Sequence, residues 1–533
     1  MKRLYHTVIT AILISVLAPT ASGQENALQD QNFIIRTNPW ITSSNAAGLC
    51  TLPVTRTSYT EVFYGKQNGG LCDLTESTNS FDAGVQTESY IKVSDRIHFY
   101  GNLSYRFFNG EEMGGPILMD PSYNPINFYE EDTTNLGTKS RESYHLTGGM
   151  SYSVNDKWSL GCMIDYESAD QTKIKDPRFL NVWMDLALTA GARFAPTEYF
   201  SAGANLEYRR TLEQIDGDII GVTGEKYFTF IDLGGFYGSR ELFDGDYGFV
   251  PVSSVRPMFN SIYGGSLQIE VGKDTKVFNE LSYRKREGYY GKQSSTTIVY
   301  TEHSGNEFSY KGVLVTGKGD NRHRIGLDFS YTLLNNAENI YRMNTEVGQY
   351  TVVEYFGQND VLKRTDIGAA LSYTGYLGIS DNLPNWEFGA TGGLDMRNTM
   401  TTIYPYYRSC SVSNLHIDAY GLRNMTFHGK NVITVGLQGR FGMGFGTPRL
   451  DGTLAGSTSN APKSADVYLD RDFEYKTGMH AGCGLRVRYT RLLNTRFAAY
   501  IEAIELYTQL LKKPEYLLGN NRNIFEIKIG CEF

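Results

Sequence analysis

Cysteine, proline and long apolar runs are scarce in this sequence. Six cysteines in 533 residues do not build a disulfide framework, which excludes the small cross-linked secreted folds. Cys162, Cys483 and Cys531 occupy apolar-face positions of alternating segments and read as small apolar residues. Cys50 and Cys72 flank the first such segment and could bridge only if the N-terminal segment folds back. The eight histidines are scattered. His416 and Asp418 are the closest approach to a ligand pair, so no zinc spacing is present and no metal or cofactor is expected. Beyond the first twenty residues no apolar run could cross a bilayer as a helix, and the mean hydropathy is -0.34. A helical membrane protein is thereby excluded. The net charge of -8 carries no basic patch of the kind a nucleic acid requires.

Catalytic signatures are missing too. No G-x-S-x-G elbow occurs. Residues 312–319, G-V-L-V-T-G-K-G, approach a phosphate-binding loop, but Gly319 stands where a Ser or Thr must bind magnesium. An alternating segment follows in place of the required helix, so a hairpin turn is the better reading. The glycines at 442, 444 and 446 lack a βαβ setting and read as strand glycines. No enzyme activity is expected, with a membrane hydrolase as the rival class.

What the chain has is tyrosine, phenylalanine and glycine: 38, 28 and 56 of them. A transmembrane β-barrel explains this mixture. Half of each spanning strand is polar, which dilutes hydropathy, and amphipathic rings suit two lipid–water interfaces. The last stretch, 523–533, shows the pattern most cleanly. Phe525, Ile527, Ile529, Cys531 and Phe533 fall on one face, and Glu526, Lys528 and Glu532 on the other. A strand ending the chain on an aromatic must pair its edge, and a barrel does so by closing on its first strand. The partner expected is the segment near 57–64.

The same alternation recurs over 97–107, 183–194, 200–209, 325–333, 386–397, 433–443 and 479–489. Charges keep to one face, as they must if the other meets lipid, where a Lys or Arg costs about 2–4 kcal/mol at mid-bilayer. The inward polar set is therefore expected to comprise Asp185, Arg193, Glu207, Arg209, Glu280, Arg284, Asp328, Asp366, Asp395, Arg397, Arg440, Arg486 and Arg488. These residues either pair across strands and fill a closed lumen or line a polar passage that selects by charge.

Eight short polar links carry turn residues: Ser94-Asp95-Arg96, Asn155-Asp156-Lys157, Pro196-Thr197-Glu198, Gly272-Lys273-Asp274, 317–321, 380–383, His428-Gly429-Lys430 and Leu492-Leu493-Asn494. Long polar connections lie between them, the largest at 110–140, 210–258, 335–360 and 447–471. Short turns inside and long loops outside are the barrel rule. Eight turns join sixteen strands, and one strand at each end makes about eighteen, with fourteen or sixteen as alternatives. This count places 225–237 and 296–301 in external loops.

Residues 1–23 read as an export signal: Lys2 and Arg3, an apolar run, then Ala21-Ser22-Gly23. Residues 24–54 lack alternation and form either a periplasmic tail or a lumen plug, with Trp40, Asn45, Gly48 and Leu49 as its anchors. Residues 55–533 form the barrel. The phrase Asn45-Ala46-Ala47-Gly48-Leu49 resembles the hatch phrase of FadL-type fatty-acid transporters, without that phrase's proline. The signal segment, the strand ladder and the terminal Gly530-Cys531-Glu532-Phe533 resemble outer-membrane barrels of Bacteroidota. The phrases Tyr300-Thr301-Glu302-His303 and Ser309-Tyr310-Lys311-Gly312 resemble the DUF6850 family among them. Lys528 departs from the proteobacterial insertion signal, which has Gly at that place. The resemblance implies a barrel in the cell outer membrane and no established activity. Lipid and the barrel-assembly machinery are its expected partners, with a partner transporter or lipoprotein as a further candidate. The expected function is a passive channel or transporter for small solutes. The alternative is a non-conducting barrel whose external loops bind a partner protein or surface glycan.

Overall fold

A computed structural model describes residues 28–221, 224–243, 249–250, 256–344, 352–456, 460–495 and 497–533; the expected export signal, 1–23, lies outside the described residues. Eighteen antiparallel strands form one closed sheet. The seam joins the first strand, Arg56–Asn68, to the last, Asn521–Glu532, in a register running from Tyr59 opposite Glu532 to Asn68 opposite Asn523. Closure leaves this sheet with no edge along its seam, so the backbone groups there need no water.

Period-two alternation sorts the side chains. Leu206, Leu267, Leu437 and Ile529 point outward and are 75%, 63%, 67% and 60% exposed, a liability in water and none in hydrocarbon. In the last strand Phe525 and Ile529 are exposed, whereas Lys528 turns inward to Glu61 and Glu526 at 3.3 and 3.0 Å. Cys162 and Cys483 are exposed on the outer face. Among the described residues no helix is long and apolar enough to cross a membrane.

The eight short links lie at one end of the barrel. Asp381 and Asn382 both adopt positive φ, 49° and 61°, which is the geometry of a two-residue hairpin turn. Two links are displaced: Thr197 pairs with Phe200 and Asn494 with Phe497, so Pro196-Thr197 and Leu492-Leu493-Asn494 belong to strands and do not themselves form the turns. Residues 312–316 and 322–333 belong to the hairpin of strands Thr297–Thr316 and Arg322–Asn344, with no helix between them.

The long connections differ from expectation. Residues 335–360 are mostly strand, because Arg322–Asn344 and Val352–Ser380 run far past their neighbours. Residues 297–301, expected in an external loop, open the barrel strand Thr297–Thr316. The strand Asn431–Thr453 continues into 447–471, and a helix, Asp466–Thr477, follows it. Residues 225–237 stay out of the barrel, but they do not form a solvated loop. Phe228–Asp232 is the centre of a second, four-stranded antiparallel sheet with Asn127–Glu130, Tyr237–Leu242 and Lys463–Ser464.

Candidate functional site: a lumen occupied from both ends

At the short-turn end the N-terminal segment lies against the inner wall. A short helix, α1 (Gln31–Arg36), is capped by Asp30, whose carboxylate accepts the Phe33 N–H at 3.0 Å. Phe33 and Ile34 pack with Leu49, Leu52, Val54, Tyr90 and Tyr376. Trp40 is 1% exposed. Its indole donates to the Ser201 hydroxyl at 3.0 Å, its ring meets Phe278 edge-on at 5.3 Å, and the Arg193 guanidinium lies over it at 4.8 Å. Asn45 has two tasks. Its carbonyl caps the turn Ala46–Thr51 by accepting the Ala47 N–H at 3.0 Å. Its amide donates to Ala192 O, Ala204 O and the Gln268 side chain at 2.9, 3.2 and 3.0 Å.

The wall is cut to receive this turn. A Cβ on Gly161 would lie 2.2 Å from the Ala47 nitrogen, and one on Gly48 would lie 2.3 Å from the Trp40 carbonyl oxygen. Leu49 seats against Gly149. Ser44 N–H reaches Glu280 at 3.3 Å, and the Lys311 ammonium donates to the Thr42 carbonyl at 2.6 Å. Trp40, Asn45 and Leu49 thus sit at the contact between this segment and the barrel, and Gly48 packs within the segment against Trp40. Cys50 stands beside Ser159 at this end, and Cys72 beside Arg471 at the other, so the two are unbridged.

At the long-loop end the second sheet folds into the mouth. Ile117, Ile126, Phe128, Ile231 and Phe243 are at most 1% exposed and pack on inward residues such as Phe179, Met258 and Tyr290. Polar side chains of the wall hold the loop backbone. Lys139 donates to the carbonyls of Gly114 and Pro116 at 3.1 and 2.6 Å. Lys173 donates to the Asn135 carbonyl at 3.1 Å and pairs with Glu130 in a site closed to water. Arg286 and Arg364 donate to the Tyr123 carbonyl at 3.0 and 3.2 Å, and Thr401 to that of Gly234 at 2.7 Å. Burial pushes the Glu130 carboxyl above its ordinary range and that of Asp232 up to about 6.

Between these two obstructions the inward polar set spreads around the ring and does not converge on one centre. Most members pair with the adjacent or next-but-one strand: Asp185 with Arg209 at 2.9 Å, Glu207 with Arg284 at 3.0 Å and Asp366 with Arg397 at 2.6 Å. Arg440 meets Asp418 at 2.8 Å and Arg486 meets Glu502 at 2.7 Å; Arg488 pairs with Glu532. Glu280 and Arg193 are taken up by the N-terminal segment. Among the described residues Asp328 makes no ion pair, although Lys311 stands opposite it in the ladder, and Asp395 lies 3.8 Å from His416. These mid-lumen groups still meet water: the side chains of Asp395, Arg440 and Asp418 are 68%, 46% and 40% exposed.

Two features escape a reading of the sequence alone. His145 and Asp165 form a 2.5 Å contact across adjacent strands. The buried Glu130, Lys139 and Lys173 cluster fixes the mouth. The available signal was the density of large apolar residues in 117–128 and 228–243, which a solvated loop has no reason to carry. Among the described residues no group of three or more His, Cys, Asp or Glu is arranged for a metal ion.

No curated protein sequence matches the chain. Solved structures similar to it include receptors for iron carriers. One is BauA, the ferric preacinetobactin receptor of Acinetobacter baumannii, at 8% identity and TM-score 0.39, covering 90% of this chain and 80% of that one. Another is the siderophore receptor PiuA of the same organism, at 7% and 0.35, covering 89% and 81%. A third is the ferric-catecholate import receptor Fiu of E. coli K12 in its closed form, at 6% and 0.34, covering 88% and 81%. At this similarity they say nothing of what the present chain binds. Residues 46–533 match the model of a family of unknown function, DUF6850, and this outer-membrane-type β-barrel belongs to that family.

Proposed function

We propose that the protein is an outer-membrane barrel for small polar solutes whose lumen is shut at rest by its own chain. Export through residues 1–23, insertion by the barrel-assembly machinery and contact with lipid belong to this reading; enzyme activity does not. The observation that carries it is the water-accessible, charged mid-lumen enclosed between an N-terminal plug and an inward-folded cap. A barrel built only for stability has no need of exposed carboxylates such as Asp328 and Asp395 inside it. Most lumen charges cancel in pairs and Lys311 stands opposite Asp328, so exposed Asp395 is what tilts the mid-lumen toward cations.

Planar-bilayer recording tests the reading. The native protein is expected to be silent or to open rarely, and Asn45→Leu, which removes three docking hydrogen bonds, to raise the open fraction. Asp328→Asn with Asp395→Asn in that background shifts the reversal potential toward anions. Silence of the plug variant and of a cap variant such as Lys173→Met would overturn passage.

A second reading rests on a different feature. The strand Val352–Ser380 begins its pairing with Leu383–Ile403 only at Leu362. Residues 352–361 therefore present a free edge bearing exposed Val352, Tyr355 and Phe356, a template for strand addition by a partner transporter or lipoprotein. Co-purification of a partner that survives removal of this hairpin tip would sink it.

A further inference from the structure

The outer wall changes character along two of its strands. On Phe200–Asp218 the outward residues run Leu206, Tyr208, Arg210, and on Lys276–Ser294 they run Leu281, Tyr283, Lys285. Each series passes from aliphatic to aromatic to cationic in steps of two residues, moving away from the short turns. The strand between them, Arg256–Val271, sets the two series side by side. Tyr263 stands opposite both Tyr208 and Lys285, and Ser261 stands opposite Arg210. The rings pack against one another, Tyr208 with Tyr263 at 5.2 Å between centroids and Tyr283 with Phe308 at 4.9 Å.

Strand geometry gives the height of this patch. A strand climbs about 3.3 Å per residue and, when tilted by roughly 40°, gains about 2.5 Å of height. Arg210 lies ten residues beyond Phe200, where its strand starts, and Lys285 nine beyond Lys276. Both therefore stand about 25 Å above the short turns, which is the height of the apolar band on an outer-membrane barrel. The tyrosines lie just below, at the level where amphipathic rings collect. The two cations thus meet headgroups and not acyl chains.

Their charge is not spent within the protein. Arg210 is exposed and, among the described residues, makes no ion pair; its guanidinium lies over the Phe259 ring at 5.0 Å. Lys285 meets Glu287 at 2.5 Å, with the two side chains 54% and 55% exposed. A surface pair of this kind holds its partners weakly. The patch therefore carries two cations against one carboxylate. A guanidinium fits two oxygens of a phosphate at once, and an ammonium adds a compact charge beside it. Ser261 between them is small and brings a hydroxyl.

From this layered outward patch we infer a binding site for the anionic phosphate of a lipid headgroup in the leaflet at the long-loop end, held by Arg210 and Lys285 above Tyr263. It rests on the reading that the outer wall meets lipid and is independent of passage through the lumen. Native mass spectrometry of the full protein in detergent tests it, with dioleoyl phosphatidic acid and dioleoyl phosphatidylcholine supplied in equal amounts. One phosphatidic acid is expected to stay bound, at least about fivefold in preference to phosphatidylcholine. Arg210→Gln should weaken its binding about fivefold, and Lys285→Gln should weaken it too. Glu287→Gln, which frees Lys285, should strengthen it. Lys363→Gln, an exposed cation on the distant strand Val352–Ser380, should leave it unchanged. All four side chains point away from the lumen, and heat-modifiable migration certifies that each variant folds. Equal binding of the two lipids, no loss in Arg210→Gln and Lys285→Gln, or an equal loss in Lys363→Gln would each overturn the assignment. Displacement of the lipid by an equal concentration of glycerol 3-phosphate would overturn the lipid as the source of the phosphate. Failure here leaves the conductance expectation standing, and a silent barrel leaves this site standing.

Discussion

Replacing Lys173 by methionine isolates the charge that latches the cap. The Lys173 and Glu130 side chains are 0% and 3% exposed. Methionine keeps most of the side-chain volume and removes the ammonium. Glu130 then loses its direct cationic donor, while its other oxygen already lacks a partner. Breaking one side of a buried pair costs about 3–5 kcal/mol. The lower end applies here, because Lys139 lies directly opposite Lys173 in the ladder and their mutual repulsion is relieved. About 3 kcal/mol corresponds to roughly a hundredfold rise in the open population of the cap. The barrel does not share the loss, since its hydrogen-bonded ladder is untouched. Amide hydrogen exchange reads this directly: peptides from 114–136 and 228–242 should exchange about a hundredfold faster, and peptides from 383–403 at the native rate. Adding Glu130→Leu removes the stranded carboxylate and should restore most of the protection. Unchanged cap exchange in Lys173→Met, or no recovery in the double variant, would refute the latch.

Gly161→Val places a side chain where the backbone of Ala46 and Ala47 now lies. Limited proteolysis in detergent should then cut within 28–54 while heat-modifiable migration of the barrel persists; a protected segment would contradict the fit. The Asp232 carboxyl is raised from an ordinary value near 4 to about 6, with Arg408 the cation that opposes burial. A raised acid favours the docked state most below pH 4. That contribution falls by about 3 kcal/mol as pH rises through 6 and is flat above. Cap protection factors, which divide out the base-catalysed rise in intrinsic exchange, should accordingly be larger at pH 5 than at pH 8, and Asp232→Asn should flatten the difference.

The barrel was legible in the sequence because a lipid-facing strand leaves no freedom. Every second residue from Phe525 to Phe533 must be apolar, and the eight polar links must be tight, so alternation and turn chemistry together count the strands. The charged faces were legible for the same reason. Their pairing was not, since Asp185 and Arg209 are neighbours only through register, which the sequence does not print. The cap was hidden by an assumption about length. Residues 110–140 and 210–258 look like external loops by spacing, and only their buried apolar content, Ile117, Phe128 and Ile231 among others, distinguishes an inward fold. The extent of 322–380 was missed because its outer half breaks the alternation, mixing polar residues such as Asn335, Asn336 and Gln358 with exposed Ile340, Tyr355 and Phe356. Asn45 was found from a local phrase, but its amide contacts span 147 to 223 residues of chain and belong to the tertiary structure alone.

The free edge at 352–361 also locates the bilayer. Among the described residues, no strand neighbours that side. Val353 N–H reaches the Ser295 carbonyl at 3.0 Å instead. Hydrocarbon cannot solvate unpaired N–H and C=O groups, each of which would cost several kcal/mol. On this side of the cylinder the oily layer must therefore stop at or below Leu362 and Thr401, where pairing starts. Hydrogen bonding thus sets the upper water line without reference to hydropathy, and everything above it stands in water.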